Sequence, residues 1–373
     1  MAYSISALFY FLYCAAIGIY VPYWTLYLRH LEFTSLQIAT LYSIPSIARI
    51  FVPIFTGYIA DLWNRRRTFM LAASLGQVLP LVLIIWFYSY TALVILISAF
   101  AFLNSIVLPL GEATVQEEHE KGSLDYGRTR LWGTASFIVL ALVYGKLLDR
   151  VNQSWVLHGI IVCYAAVFLV ALFMPEGKVS FRLVPATLRT ALATPSTWIF
   201  LICVLLMNGS HGTFYGFYSI YLSELGFKES GIGVHWAVAA GTELIIFIFA
   251  SQILRRYRHE TLITFCCLAA SIRWFLTATS DSFLTLTLIQ SLHAFSFGLF
   301  HATCVSLIHK IFPEGSRSIG QSLYYSLGGG IGSMIGVLVS GMFWDQLHGK
   351  VYYISAAMMF TAFLVSLRFR NQG

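Results

Sequence analysis

Long apolar runs separated by short polar connections make up the pattern of this chain. Runs such as ALFYFLYCAAIGIYVPYWTLYL (7–28) and ALVILISAFAFLNSIVLPLG (92–111) are apolar all the way round, not along one stripe. A helix needs about 20 such residues to cross a hydrocarbon layer about 30 Å thick. The pattern predicts twelve spans, near 4–28, 36–60, 68–89, 91–115, 128–148, 154–174, 197–222, 231–254, 260–279, 282–309, 317–341 and 350–367. Backbone groups in hydrocarbon must be satisfied within the segment unless a barrel closes. Barrel strands would run about ten residues with alternating polarity, and these runs are far longer. The expected fold class is an all-α integral membrane protein of 12 transmembrane helices.

Composition removes the soluble alternatives. Of 373 residues, 58% are hydrophobic and 10% charged, against about 25% charged in soluble domains. The net charge of +7 raises the question of nucleic acid, and its distribution answers it. With the N-terminus placed inside, inner segments hold fifteen Lys and Arg, outer segments five, and spans three. Such an inner excess orients a membrane protein, so both termini are expected in the cytoplasm and no nucleic acid is expected as a partner. The six cysteines lie in apolar stretches without metal-ligand spacing and read as packing residues. The first run lacks a basic leader and cleavage site and is expected to be a retained span.

An internal repeat organises the chain. YLRHLEFTSLQI (27–38) aligns with YLSELGFKESGI (221–232) at an offset of 194, with Tyr27, Leu28, Leu31, Phe33 and Ile38 recurring as Tyr221, Leu222, Leu225, Phe227 and Ile232. The expected domains are a six-helix bundle over 1–180, a cytoplasmic linker over 181–196 and a second bundle over 197–373. Parallel repeats of this kind place substrate near the bilayer midplane. Carried along α-helical register, the same offset pairs Arg49 with Glu243.

Five charges fall inside spans: Arg49, Glu112, Arg130, Glu243 and Arg273. Each costs about 2.5–3.5 kcal/mol at the bilayer centre, so such residues face partners or a water-filled path. Glu112 and Arg130 sit near the inner ends of consecutive antiparallel spans, where they either pair structurally or hold solute. Glu243 lies near the middle of its span and reads as part of the transport path. His211, His293 and His301 also sit inside spans and can change charge near neutral pH; His211 stays open between that role and packing, and His301 reads as packing. The five charges sum to +1, and protonating Glu243 raises this to +2, a field that favours an anionic solute. Among the aromatics, Trp24 and Tyr215 are candidate solute contacts. Gly328, Gly332 and Gly336 form a small-residue face for close helix approach.

GYIADLWNRRR (57–67) resembles the major facilitator signature between spans two and three, with Gly57, Asp61, Arg65 and Arg66 matching and Asn64 standing where a basic residue is usual. LDYGRTRLWGTASF (124–137), HGTFYGFYSIY (211–221), ELIIF (243–247), SIRW (271–274) and LIQSLHAF (288–295) resemble the lactose-permease-like branch, the bacterial 3-phenylpropionate transporter group being most similar. The resemblance implies the major facilitator fold of two six-helix bundles and a conformational gating role for Gly57, Asp61, Arg65 and Arg66. It implies solute binding by Glu112 and Arg130; Arg49, Trp24 and Tyr215 are further candidate contacts read from the spans themselves. Proton coupling falls to Glu243, Arg273 and His293. Lactose permease has a proton-binding glutamate three residues after its histidine; here Ser296 stands there, so coupling must use another group, or the carrier is uncoupled.

The expected function is proton symport of an aromatic carboxylate such as 3-phenylpropionate across the bacterial inner membrane, by alternating access. The alternative is a sugar or nucleoside symporter of the same fold, with Trp132 stacking on the ring. No enzyme motif of the HExxH or GxSxG kind occurs, so no enzymatic activity, cofactor or metal is expected. Expected partners are the solute, protons and membrane lipid, with the chain acting as a monomer.

Overall fold

The computed structural model describes residues 2–62, 65–175, 192, 194–312 and 317–372, the side chains of 2, 53–62, 318 and 370–372 lying outside that description. Among the described residues all regular structure is helical. The chain divides into two units, Met1–Arg182 with Lys228–Gly233, and Leu183–Phe227 with Val234–Gly373. Most of the expected linker, 181–196, lies outside the described residues.

The first unit contains α1 (Ala2–His30), α2 (Ser35–Leu62), α3 (Arg66–Gly76), α4 (Val78–Ile84), α5 (Tyr90–Glu120), α6 (Tyr126–Leu148) and α7 (Trp155–Ala171). Helix starts follow local chemistry. Thr34 and Gln37 form a reciprocal capping box before α2, Gln37 N donating to Thr34 Oγ1 (3.3 Å) and Thr34 N to Gln37 Oε1 (3.0 Å). Asp125 Oδ1 accepts from Arg128 N at 2.9 Å to start α6. Within the unit α1 packs on α6 and α7, and α2 on α5. The expected third span is interrupted at Gln77, which parts α3 from α4. Gln77 is buried and accepts from Asn104 Nδ2 at 2.9 Å, while Asn104 Oδ1 accepts from Tyr13 OH at 3.1 Å. A buried amide needs such partners, and this one draws α1 and α5 to the break.

The second unit contains α8 (Pro195–Glu224), α9 (Glu229–Arg256), α10 (His259–Thr279), α11 (Phe283–Gln290), α12 (Phe300–Ile311), α13 (Arg317–Tyr325), α14 (Ser333–Leu347) and α15 (Tyr352–Ser366). Two π-helical segments, Ala294–Leu299 and Ser326–Gly332, interrupt the α-helical register. Ten helices among the described residues are long and apolar enough to cross a membrane. One of the ten, Ile319–Phe369, is turned at His348 (φ 46°), and Trp155–Ala171 is shorter at 17 residues.

The repeat is visible in the backbone. After α1, Leu31 N donates to Tyr27 O, Glu32 N to Arg29 O and Phe33 N to Leu28 O. After α8, Leu225 N donates to Tyr221 O, Gly226 N to Ser223 O and Phe227 N to Leu222 O, each bond 194 residues on. Both turns close through a positive φ, 63° at Glu32 and 83° at Gly226, the Schellman arrangement that satisfies final helix carbonyls. The helices that follow are each 28 residues long and start at Ser35 and Glu229, again 194 apart.

The glycine face lies where α8 meets the second π segment and the start of α14. A Cβ on Gly336 would overlap the carbonyl oxygen of Gly209, and one on Gly332 would meet Leu205 O. The obstacle is backbone, which cannot rotate away. Gly336→Val is expected to destabilise the second unit by about 1–3 kcal/mol or more, read as a fall in the thermal midpoint of detergent-purified protein. An unchanged midpoint would show that these helices can part without loss.

Candidate functional site

In the second unit, α8, α11 and the π segment converge on one arginine of α10. Arg273 on α10 is fully buried; both of its terminal nitrogens are committed, and its Nε has no partner among the described residues. Nη1 donates to His293 Nδ1 (2.9 Å) and Ser296 Oγ (2.9 Å) and lies 3.4 Å from His211 Nε2; Nη2 donates to Gln290 Oε1 (2.7 Å). Its guanidinium carbon sits 4.2 Å from the Trp274 ring centre and 4.5 Å from that of Phe214, so cation–π attraction supplies part of what hydration would.

These contacts fix the histidine tautomers. Arginine has only donors, so His293 Nδ1 accepts and its proton sits on Nε2. That Nε2 lies 3.5 Å from Glu243 Oε2. His211 Nδ1 donates to Met207 O at 2.9 Å, which leaves Nε2 to face Arg273. Both rings are thus held neutral as acceptors toward one buried cation. Glu243 is the exposed end of the chain of contacts, its side chain 21% accessible against 5% for His293. Gly298 permits the approach, since a Cβ there would stand 3.0 Å from Glu243 Cγ.

Polar contacts extend past Arg273. Gln290 Nε2 donates to Tyr218 OH at 2.6 Å, and Tyr218 OH lies 3.0 Å from His235 Nδ1. The sequence pattern singled out Arg273, His293 and Glu243, which the structure brings together, but it did not mark Gln290, Tyr218, His235 or the acceptor role of Ser296. Tyr215 stacks against Trp236 with ring centres 6.0 Å apart and lies 6.1 Å from His211.

In the first unit, Glu112 on α5 and Arg130 on α6 approach to 3.8 Å, and Arg130 Nη1 donates to Tyr126 OH at 2.9 Å. Arg130 is 60% exposed and Glu112 34%. The pair is therefore loose and open, unlike the Arg273 cluster. Arg49 on α2 is also exposed, whereas Trp24 on α1 is buried. Arg65 is exposed and Arg66 buried at the start of α3. Gly57 and Asp61 fall within α2, but their side chains lie outside the described residues. Among the described residues no group of three or more His, Cys, Asp or Glu could hold a metal ion.

Comparison with known proteins gives a consistent result. The profile of the MFS_1 like family matches residues 3–355. A protein described as a probable 3-phenylpropionic acid transporter of Escherichia coli (strain K12) is 26% identical over 366 residues, covering 95% of each chain. Maltose permease of Geobacillus stearothermophilus is 24% identical over 369 residues, covering 98% of this chain and 93% of the permease. Among solved structures, a mutant form of the nucleoside transporter NupG superposes with a TM-score of 0.87 at 18% identity, over 99% of both chains. The POT family transporter PepTSo gives 0.79 at 11% identity, over 100% of this chain and 98% of that one.

Proposed function

Because this chain belongs to the MFS_1 like family, and is a multi-pass membrane transporter of the major facilitator type, we infer that it carries a small organic anion into the cell together with a proton. An aromatic carboxylate of the 3-phenylpropionate kind is the solute that this reading favours, in the bacterial inner membrane with both termini cytoplasmic. The observation that carries it is the contact chain Arg273–His293–Glu243. Glu243 can take and release a proton without breaking the fold, because its neighbour already holds a fixed tautomer and the cation behind is anchored elsewhere.

In this mechanism Glu243 receives a proton from the outer side, and the solute then binds. Alternating access exposes both to the cytoplasm, where the proton and the anion leave. The bundles 1–180 and 197–373 act as the moving bodies and 181–196 as their connection, with Gly57, Asp61, Arg65 and Arg66 gating the inner face. Arg273 does not touch solute, since its fork is occupied. Ser296 supports the same cation by accepting from it, which leaves Glu243 as the proton carrier.

A sugar or nucleoside is the second reading. It is supported by the loose Glu112–Arg130 pair, which suits hydroxyl groups, and by likeness to a maltose permease and a nucleoside transporter. Charge balance separates the two. One proton moving with a monoanion carries no net charge, so accumulation follows the pH step alone, about tenfold per unit because each unit is worth about 1.4 kcal/mol. A neutral solute moving with a proton carries one charge and gains about 2.3 kcal/mol per 100 mV as well. In proteoliposomes, uptake of 3-phenylpropionate is expected to respond to an imposed pH step and to ignore an imposed potassium diffusion potential. Uptake that survives collapse of the pH step would end proton coupling. Uptake of a galactoside or uridine driven by potential would establish the second reading instead.

A further inference from the structure

The two charges aligned by the repeat occupy the same place in their own bundles. Arg49 is 14 residues past the start of α2 at Ser35, and Glu243 is 14 past the start of α9 at Glu229. Each helix carries an aromatic ring seven residues earlier, Tyr42 and Trp236. At 3.6 residues per turn, seven residues return to within about 20° of the same face. The preceding helix adds two rings one turn apart, Tyr20 and Trp24 on α1, Phe214 and Tyr218 on α8. In the first unit Tyr20 stacks on Trp24 and Tyr42, with ring centres 5.5 and 5.9 Å apart. In the second, Phe214 meets Tyr218 and Trp236 at 4.9 and 4.6 Å. The same three-ring cluster recurs 194 residues on, with the charge beside it inverted.

The two clusters differ in what their polar atoms do. Beside Glu243, Tyr218 OH accepts from Gln290, and Trp236 Nε1 donates to Ser219 Oγ at 2.9 Å. Beside Arg49, Tyr20 OH and Trp24 Nε1 are buried and have no hydrogen-bond partner among the described residues. Buried donors without acceptors are uncommon in folded proteins, and here two occur in one stacked pair. Arg49 lies within electrostatic reach of the Tyr13, Tyr20 and Tyr42 hydroxyls. It is exposed and forms no ion pair among the described residues. That exposure is not on the apolar side of α2, because the exposed Ile47 and Phe51 stand about 140–180° round the helix from Tyr42.

We propose that Arg49, with Tyr20, Trp24 and Tyr42, is the carboxylate-recognition subsite of the carrier. The guanidinium takes both carboxylate oxygens of an aromatic acid, and the solute ring lies against the stacked aromatic faces. A planar fork matches a carboxylate in two-point contact, and the Tyr20 and Trp24 donors supply further hydrogen bonds to it. Of the other two arginines within spans, Arg273 has both terminal nitrogens committed inside its cluster, and Arg130 already faces a carboxylate, Glu112, and Tyr126. The two equivalent positions of the repeat thus take different roles, anion capture at Arg49 and proton capture at Glu243.

The proposal rests on the anion-carrier reading, and binding to the purified full-length chain separates the two. The probes are 3-phenylpropionate and its uncharged amide, titrated calorimetrically. The unaltered chain is expected to bind the acid at least tenfold more tightly than the amide. Arg49→Gln is expected to lose that preference while leaving amide affinity in place, and Arg150→Gln, at an exposed position after α6, to keep it. Arg49→Lys keeps the charge for insertion and folding but lacks the fork, and is expected to bind the acid about tenfold more weakly. Full acid affinity in either Arg49 variant overturns the subsite and leaves the anion reading standing. Equal binding of acid and amide by the unaltered chain overturns the anion reading and the subsite with it.

Discussion

Glu243→Gln is expected to turn an accumulating carrier into an exchanger. Glutamine has the shape of glutamate, and its carbonyl oxygen can still accept from His293 Nε2, so the approach of α9 to the π segment past Gly298 is kept. On the proposed mechanism, what disappears is the site for a proton. With a pH step of one unit across proteoliposomes, the unaltered chain should approach about a tenfold solute gradient, and the variant should stay at parity. Counterflow of labelled against unlabelled solute asks only for binding and reorientation, so it should persist. A variant that still accumulates solute would remove Glu243 from the proton path. His293→Asn provides the companion measurement, since an asparagine can face Arg273 or Glu243 but cannot bridge both through one rigid ring.

The repeat could be read from the sequence because its signal is covalent. Five matching residues at the turn after the first span set an offset of 194, and the structure reproduces that offset in the turn bonds at Glu32 and Gly226. Apolar run length likewise marks where helices cross, because hydrocarbon thickness sets it. It is blind to register within the run. Gln77 breaks the expected third span, and Ala294–Leu299 winds as a π-helix, yet their neighbours are as apolar as those of any straight span. The charged members of the candidate site stood out because each is costly in lipid. Gln290, Tyr218 and Ser296 carry no charge and so raise no comparable signal, although they supply the acceptors and the onward contact of the Arg273 cluster. His211 was visible as a polar residue in an apolar helix, but its tautomer and its part in holding the cation follow only from the distances to Met207 and Arg273.

The largest effect on the protein itself is expected from Arg273. A buried cation is tolerable here because the acceptors around it face its terminal nitrogens: two histidine nitrogens, a hydroxyl and an amide oxygen, with two aromatic faces beside them. Arg273→Met preserves much of the volume and leaves those acceptors facing hydrocarbon. Three strong bonds are lost, at His293, Ser296 and Gln290, and each orphaned buried group costs about 1–3 kcal/mol. The second unit should therefore lose about 3 kcal/mol or more, seen as a lowered thermal midpoint in detergent. Arg273→Lys separates charge from geometry. An ammonium is a compact point donor without a planar fork, so it cannot reproduce the separate contacts that two guanidinium nitrogens make to His293 and Gln290. Lysine should recover part of the stability and little of the coupled uptake, because His293 is then no longer held by the donor that fixes its Nε2 proton toward Glu243. Equal recovery of both by lysine would mean that positive charge alone, and not the fork that orders the ring, is what the transport cycle draws from this position.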